Sequence, residues 1–376
     1  MEHYLDNSAT TRVCPEAAQA AMDAMLETYG NPSSTYTKGR EAKKLLDSSR
    51  KSVAAALGCD PAELVFTSCG SESDNWALIG GTEAMRRKGN HIITSMVEHD
   101  AIRNTAAELE RRGFVVTYLR PDSTGRIDPE SVRAALRPDT ILVSLMLVNN
   151  ETGAVTDISA VSRILKAEKS AALLHTDAVQ GFMKLDFTVK TLGADLVSVS
   201  GHKIHAPKGI GALYIRKGLR LKPFILGGAQ EDGRRAGTEA MPQIAAFGEA
   251  ARIAKAGLKE NAAHMRALKA ELMTRLPEVI PDIHMLNTDA PHILSVSLPG
   301  YRSEVLMNFL EAREIYVSRS SACKKGARSH VLEAIGMDPR LIDGALRIGL
   351  CRYNTQEDID ALVDALGEAY RTLAHR

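Results

Sequence analysis

Between residues 64 and 215 the chain alternates short, continuous apolar runs with longer amphipathic ones, and few folds accommodate that rhythm. The runs Leu64–Thr67, His91–Thr94, Val115–Leu119, Ile141–Leu147, Ala172–Thr176, Leu196–Ser200 and Ala212–Ile215 read as buried strands. Helix-like stretches at Ser73–Arg87, Ala101–Arg112, Pro129–Leu136 and Ile158–Glu168 lie between them. The pattern predicts an α/β fold with a mainly parallel seven-stranded sheet covered by helices on both faces. Ligands of such sheets sit beyond the carboxyl ends of the strands. Glu98-His99, Asn149-Asn150, Asp177 and Lys203 each follow a predicted strand directly.

From Gln243 to about Arg275 the chain is Ala-rich and helical in pattern. Beyond it, strands at Ile293–Leu298, Ile315–Ser318 and Ala345–Leu350 mix with helices around Ser303–Glu311 and Thr355–Leu373. This reads as a smaller α+β domain. The expected division is a large domain over residues 14–255 and a small one built from 1–13 and 256–376.

A chain of 376 residues can bury a large core, and 44% hydrophobic with 25% charged residues is ordinary for a soluble protein. Its 47 basic and 46 acidic residues leave a net charge of +1, which argues against direct nucleic-acid binding. The N-terminus has no basic region followed by an apolar stretch, so no signal peptide is expected. The run Ile141 to Val148 is too short to span a bilayer, and a cytoplasmic protein is expected. Cys14, Cys59, Cys69, Cys323 and Cys351 form no C-x-x-C pair, so neither a disulfide framework nor a metal site is expected.

Lys203, in Ser200-Gly201-His202-Lys203, stands just past a buried strand. Desolvation disfavours its ammonium and frees the amine as a nucleophile. Ser200 and His202 beside it can hold an anionic group. This is what a lysine forming a Schiff base with pyridoxal 5'-phosphate needs. Cys323 follows in a polar stretch with Lys324 and Lys325, a setting that favours thiolate. An amine that captures a carbonyl cofactor, with a separate reactive thiol, suggests chemistry on a sulfur-containing amino acid.

Three further segments matter through their combination. Thr67 to Ser73 ends a strand and starts a helix, where Gly70 and Ser71 make an anion site; alone it reads as an ordinary helix cap. Asp177 ends a strand and can pair with a protonated pyridine nitrogen, with Gln180 within reach of the ring hydroxyl. His99 can stack on a flat cofactor and exchange protons.

The chain resembles the cysteine desulfurases of the NifS/IscS type, a branch of the class-V aminotransferases with the fold type I architecture of pyridoxal phosphate enzymes. Motifs in family order carry the resemblance: Tyr4 to Thr11, Gly30-Asn31-Pro32-Ser33-Ser34, Glu72-Ser73-Asp74-Asn75, Glu98-His99, Val148 to Gly153, His175 to Gln180, Ser200 to Lys203, Arg235-Ala236-Gly237-Thr238 and Ser321-Ala322-Cys323. The resemblance implies that Lys203 holds the cofactor, His99 stacks on its ring, Asp177 pairs with the ring nitrogen and Gln180 contacts the ring oxygen. It assigns the phosphate to Gly70, Ser71, Ser200 and His202. Thr238 matches a residue that reaches the neighbouring subunit's phosphate, which implies a homodimer. Asn7, Asn150 and Arg347 match substrate contacts, with Asn150 also at the cofactor and Arg347 on the substrate carboxylate. Cys323 matches the cysteine that accepts sulfur as a persulfide while L-cysteine becomes L-alanine.

The loop Lys324 to Val331 is shorter and more basic than in desulfurases that feed iron–sulfur scaffolds. It suggests an acidic acceptor surface or a tRNA-thiolation enzyme as sulfur acceptor. Arg347-Ile348-Gly349 and Tyr36 also depart from the usual pattern. Alternatives are a selenocysteine lyase, another class-V lyase, or a sulfur carrier with low activity without its acceptor.

Overall fold

The computed structural model describes residues 2–319 and 328–374, so Cys323 and its immediate neighbours lie outside the described residues. The chain begins with β1 (His3–Tyr4) and two helices, Pro15–Leu26 and Thr37–Leu57. Among the described residues, seven strands then form a large sheet. They are β2 (Leu64–Thr67), β3 (His91–Ser95), β4 (Val115–Leu119), β5 (Thr140–Ser144), β6 (Leu173–Asp177), β7 (Leu196–Ser200) and β8 (Gly211–Ile215). Their order is β2-β8-β7-β6-β5-β3-β4. From β7 to β4 neighbours run parallel, while β8 is antiparallel to both β7 and β2. The sheet is the mainly parallel one the apolar runs predict.

Alternate residues of these strands enter different cores, which shows directly that both faces are covered. Phe66, Ile93, Leu174 and Val197 pack with Phe182 and Phe247 on one face. Val65, Ile92, Leu173 and Leu196 pack with Trp76, Leu78 and Ile102 on the other. A strand buried on both sides has no polar face, so its sequence is a continuous apolar run. Strand β5 stops at Ser144, before the apolar run ends at Leu147. There the Met146 N–H turns to Glu98 Oε1 at 3.2 Å, outside the ladder.

The Ala-rich stretch is two helices, Met241–Ala256 and Leu258–Val279, parted at Gly257. Glycine has little preference for the helical conformation, and here its φ of −100° ends one helix and caps the next. Beyond it β9 (His284–Leu286), β10 (Ile293–Ser297), β12 (Ser318–Arg319) and β13 (Ala345–Gly349) form an antiparallel sheet in the order β12-β13-β10-β9. The stretch expected as one strand over Ile315–Ser318 divides: β11 (Ile315–Tyr316) pairs with β1, and β12 pairs with β13. Leu5, Leu272, Leu294, Leu306, Leu346 and Leu362 share a separate apolar cluster under this sheet. Among the described residues no helix is long and apolar enough to cross a membrane.

Candidate active site

The carboxyl ends of β6 and β7 open, with β13 and the segment after β1, onto a cavity of about 480 Å³. Gly70, Ser71, His99, Asn150, Asp177, Gln180, Ser200, His202, Lys203 and Arg347 all line it. The expected cofactor residues on the large sheet and the expected carboxylate anchor on β13 therefore meet in one space.

Lys203 lies in a single 3₁₀ turn, Gly201–Lys203, directly after β7. Its Nζ donates to the carbonyl oxygens of Ser8 and Ala9 at 2.6 and 2.7 Å. Burial, assisted by the Arg347 charge, pulls its pKa down to about 7. A free-base amine is thus accessible near neutral pH, as a nucleophile for a carbonyl requires.

Asp177 ends β6, and its Oδ1 accepts the Val179 N–H at 2.8 Å. Burial raises its pKa, while His99 and Lys203 pull the other way and favour its anion. His99 caps the helix Asp100–Arg111: its Nδ1 accepts the Ala101 N–H at 3.1 Å. That bond leaves the proton of a neutral imidazole on Nε2.

Gly70 and Ser71 begin the helix Gly70–Met85, where free N–H groups attract an anion. A Cβ on Gly70 would stand 2.8 Å from Val179 Cγ2, so only glycine leaves this cradle open. Opposite, the buried Ser200 Oγ has no hydrogen-bond partner among the described residues. His202 is held down to about 4 by burial and by neighbouring lysine charges, and is neutral.

Arg347 keeps 3% exposure on β13. Its Nη1 donates to Asn150 O at 2.9 Å, and its Nη2 to Asp6 Oδ1 and Ser318 Oγ at 3.0 and 2.8 Å. The Nε has no partner among the described residues. A guanidinium held this way is pre-oriented for a carboxylate.

Two expected residues stand elsewhere, and a third lies outside the described residues. Asn7 is buried beside the cavity, and its amide donates to Tyr4 O, Gly349 O and Asn354 Oδ1 at 3.1, 3.0 and 3.2 Å. Thr238 is exposed and does not line the cavity of its own chain. Cys323 lies outside the described residues. Gln180 lines the cavity, but its amide nitrogen donates to Ser8 O at 2.9 Å. The residue reading also passed over Asp74 and Glu151, both in the wall. Burial raises Glu151 to about 7 and Glu98, just behind the wall, to about 8. Asp74 was legible in principle: it sits one helical turn after Gly70 and shares its face.

An orphaned hydroxyl facing a helix N-terminus, a glycine cradle, a buried carboxyl and a desolvated lysine match the phosphate, ring nitrogen and carbonyl of pyridoxal phosphate. The arrangement is that of a pyridoxal phosphate enzyme, and the chain belongs to the class-V aminotransferase family, whose profile matches residues 3–362. Within that family it groups with the cysteine desulfurases. It is 43% identical over 375 residues to the cysteine desulfurase IscS of Methanosarcina thermophila, covering 98% of this chain and 92% of that one. A solved NifS-like protein superposes with a TM-score of 0.94 at 39% identity, covering 99% of this chain and all (100%) of the other. The structure of SspA in complex with cysteine superposes with a TM-score of 0.81 at 32% identity, over 94% of this chain and 100% of that one.

Proposed function

We propose that this protein removes sulfur from L-cysteine, releasing L-alanine and leaving the sulfur as a persulfide on Cys323. The observation that carries the reading is the convergence of Lys203, Asp177, His99 and Arg347 on one cavity. Relatives at 43% and 42% identity bear the name cysteine desulfurase.

Pyridoxal phosphate supplies a carbonyl for the substrate amine and an electron sink for the carbanion at Cα. The residues of this chain provide the rest. The Gly70–Ser71 N–H groups, Ser200 and His202 hold the phosphate. Asp177 would place a negative charge against the ring nitrogen, and His99 would cover the ring. Arg347 fixes the substrate carboxylate, which orients Cα toward Lys203. The Lys203 amine, near its pKa, takes a proton from Cα and returns one to the product. Burial of Asp177, Ser200 and Arg347 strengthens the electrostatic contacts they make. The Cys323 thiolate attacks the substrate sulfur: an S–S bond forms, the Cβ–S bond breaks, and its electrons return toward the product carbon.

The same reading makes the protein a cytoplasmic homodimer that passes sulfur to an acceptor protein, an iron–sulfur scaffold or a tRNA-thiolation enzyme. Exposed Phe224, Ile225 and Leu226, in the segment leading to Thr238, support a subunit contact there. The test is release of alanine and sulfide from L-cysteine by wild type and C323S, with the visible cofactor band recorded. Both products from the wild type, and a band without turnover in C323S, are expected. A band with no alanine from either protein would move the substrate to another amino acid.

A further inference from the structure

The wall of the cavity holds a second carboxyl that the mechanism above does not use. Asp74 lies on the helix Gly70–Met85, keeps 2% exposure, and its Oδ1 has no hydrogen-bond partner among the described residues. His175 Nε2, on β6, stands 3.7 Å from that oxygen. Burial holds His175 down to about 3, so the imidazole is neutral and offers no counter-charge. Its nitrogens are already engaged by Ser144 Oγ and Ser198 Oγ at 2.8 and 3.0 Å.

The charged and titratable groups facing Asp74 are Asp177 from β6, Glu98 from the segment after β3, and Cys69 from its own helix start; each disfavours its anion. A hydrogen bond from Ser198 on β7 favours the anion, but burial outweighs it. Burial raises Asp177 as well, but a backbone N–H on its Oδ1 and the neighbouring His99 and Lys203 favour its anion, support that Asp74 lacks. Two carboxyls in one dry site do not both ionise, and the proton goes to the one with less support for charge.

We propose that Asp74 is a positioning residue that stays a neutral carboxylic acid, so that Asp177 alone carries the negative charge facing the cofactor ring. The inference rests on the cofactor reading above. A neutral Asp74 leaves the field at the ring nitrogen to Asp177, and its proton guards the pair against mutual repulsion. Burial likewise raises Glu98 to about 8, although its Oε1 accepts from Ser95 Oγ and the Met146 N–H.

The test is difference infrared spectroscopy of the full-length protein at neutral pH, with and without pyridoxal phosphate, for wild type, D74N and D177N. The expected result is loss of a protonated-carboxyl stretch in D74N and its retention in D177N. D74N is neutral and nearly isosteric, so its visible band is expected to titrate as the wild type does. Loss of a carboxylate band in D74N, or a displaced cofactor titration, would overturn the assignment. If D74N does not fold, D74S provides the same subtraction. A wild type that never develops the visible band defeats the cofactor reading instead, and the infrared result from cofactor-free protein still decides the protonation of Asp74.

Discussion

Arg235 grips Glu72 through two hydrogen bonds, Nε to Oε1 at 2.9 Å and Nη2 to Oε2 at 3.1 Å. Glu72 lies two residues into the helix whose N-terminus cradles the phosphate, and its Oε2 also accepts the Ser68 N–H at 2.7 Å. Arg235 lies three residues before Thr238. The pair therefore ties the start of the helix Gly70–Met85 to the segment leading to Thr238.

Breaking this pair is expected to weaken both stability and cofactor retention. R235A should lose about 2–3 kcal/mol, just below the range for a fully buried pair, because Arg235 keeps 20% side-chain exposure. The Arg235 and Ser68 hydrogen bonds hold the Glu72 pKa below its ordinary value despite burial. A depressed carboxyl stabilises the fold above its unfolded pKa and loses that contribution as pH falls through the folded value. The gap in denaturation midpoint between wild type and R235A should therefore narrow in acid. An unchanged gap would mean that the arginine acts through packing.

Lys203 provides a test with the opposite sign. Its folded pKa of about 7 lies below that of an unfolded lysine, so the charged amine opposes folding of the cofactor-free protein. K203M should raise the melting temperature of that form below pH 7, with the gain fading as pH approaches the unfolded value of about 10.4. The rate at which wild type captures pyridoxal phosphate should rise with pH through about 7.

Gly70 admits no side chain. A Cβ there would meet Val179 Cγ2 at 2.8 Å, with Ser200 Cβ at 3.6 Å. G70A is expected to fold, since Ala is a good helix former, but to bind the cofactor at least tenfold more weakly, about 1.4 kcal/mol. V179A in the same chain removes the colliding methyl and should restore much of the affinity. Equilibrium titration of the visible band measures both.

Arg347 should show its role in KM. R347K keeps the charge but loses the fork, with its bonds to Asn150 O, Asp6 and Ser318. A loss of about 2 kcal/mol in kcat/KM for L-cysteine, roughly thirtyfold, is expected from charge-assisted bonds of this kind. If kcat alone falls, Arg347 contributes to the chemical step more than to holding the ground state.

The sheet was legible because β2, β3 and β5 through β8 are buried on both faces and so appear as short runs of apolar residues and small or uncharged polar ones, without alternating charge. The site was legible where a chemical residue directly follows such a run, as Asp177 follows Thr176. What escaped is what depends on distant contacts. The pairing of β1 with β11 joins residues 312 positions apart, His3 with Ile315, and the division of Ile315–Ser318 follows because Ser318 and Arg319 turn instead to β13. Asn7 resembles a substrate contact by motif, yet its amide is occupied by three structural acceptors. Asp74 and Glu151 carry no signal as isolated acids; their surroundings make them notable. Thr238 lies where a single chain gives it no task, and the resemblance alone assigns it one.

The carbonyls of Ser8 and Ala9 that hold Lys203 belong to a segment whose own footing is the last strand of the chain: Asn7 N donates to Gly349 O, and Gly349 N to Leu5 O. Arg347 reaches back across 341 positions to Asp6. The lysine environment therefore cannot exist on a ribosome still reading the middle of the message. Cofactor capture belongs to the finished chain, and a truncated product, however well its large sheet forms, has no complete pocket to offer.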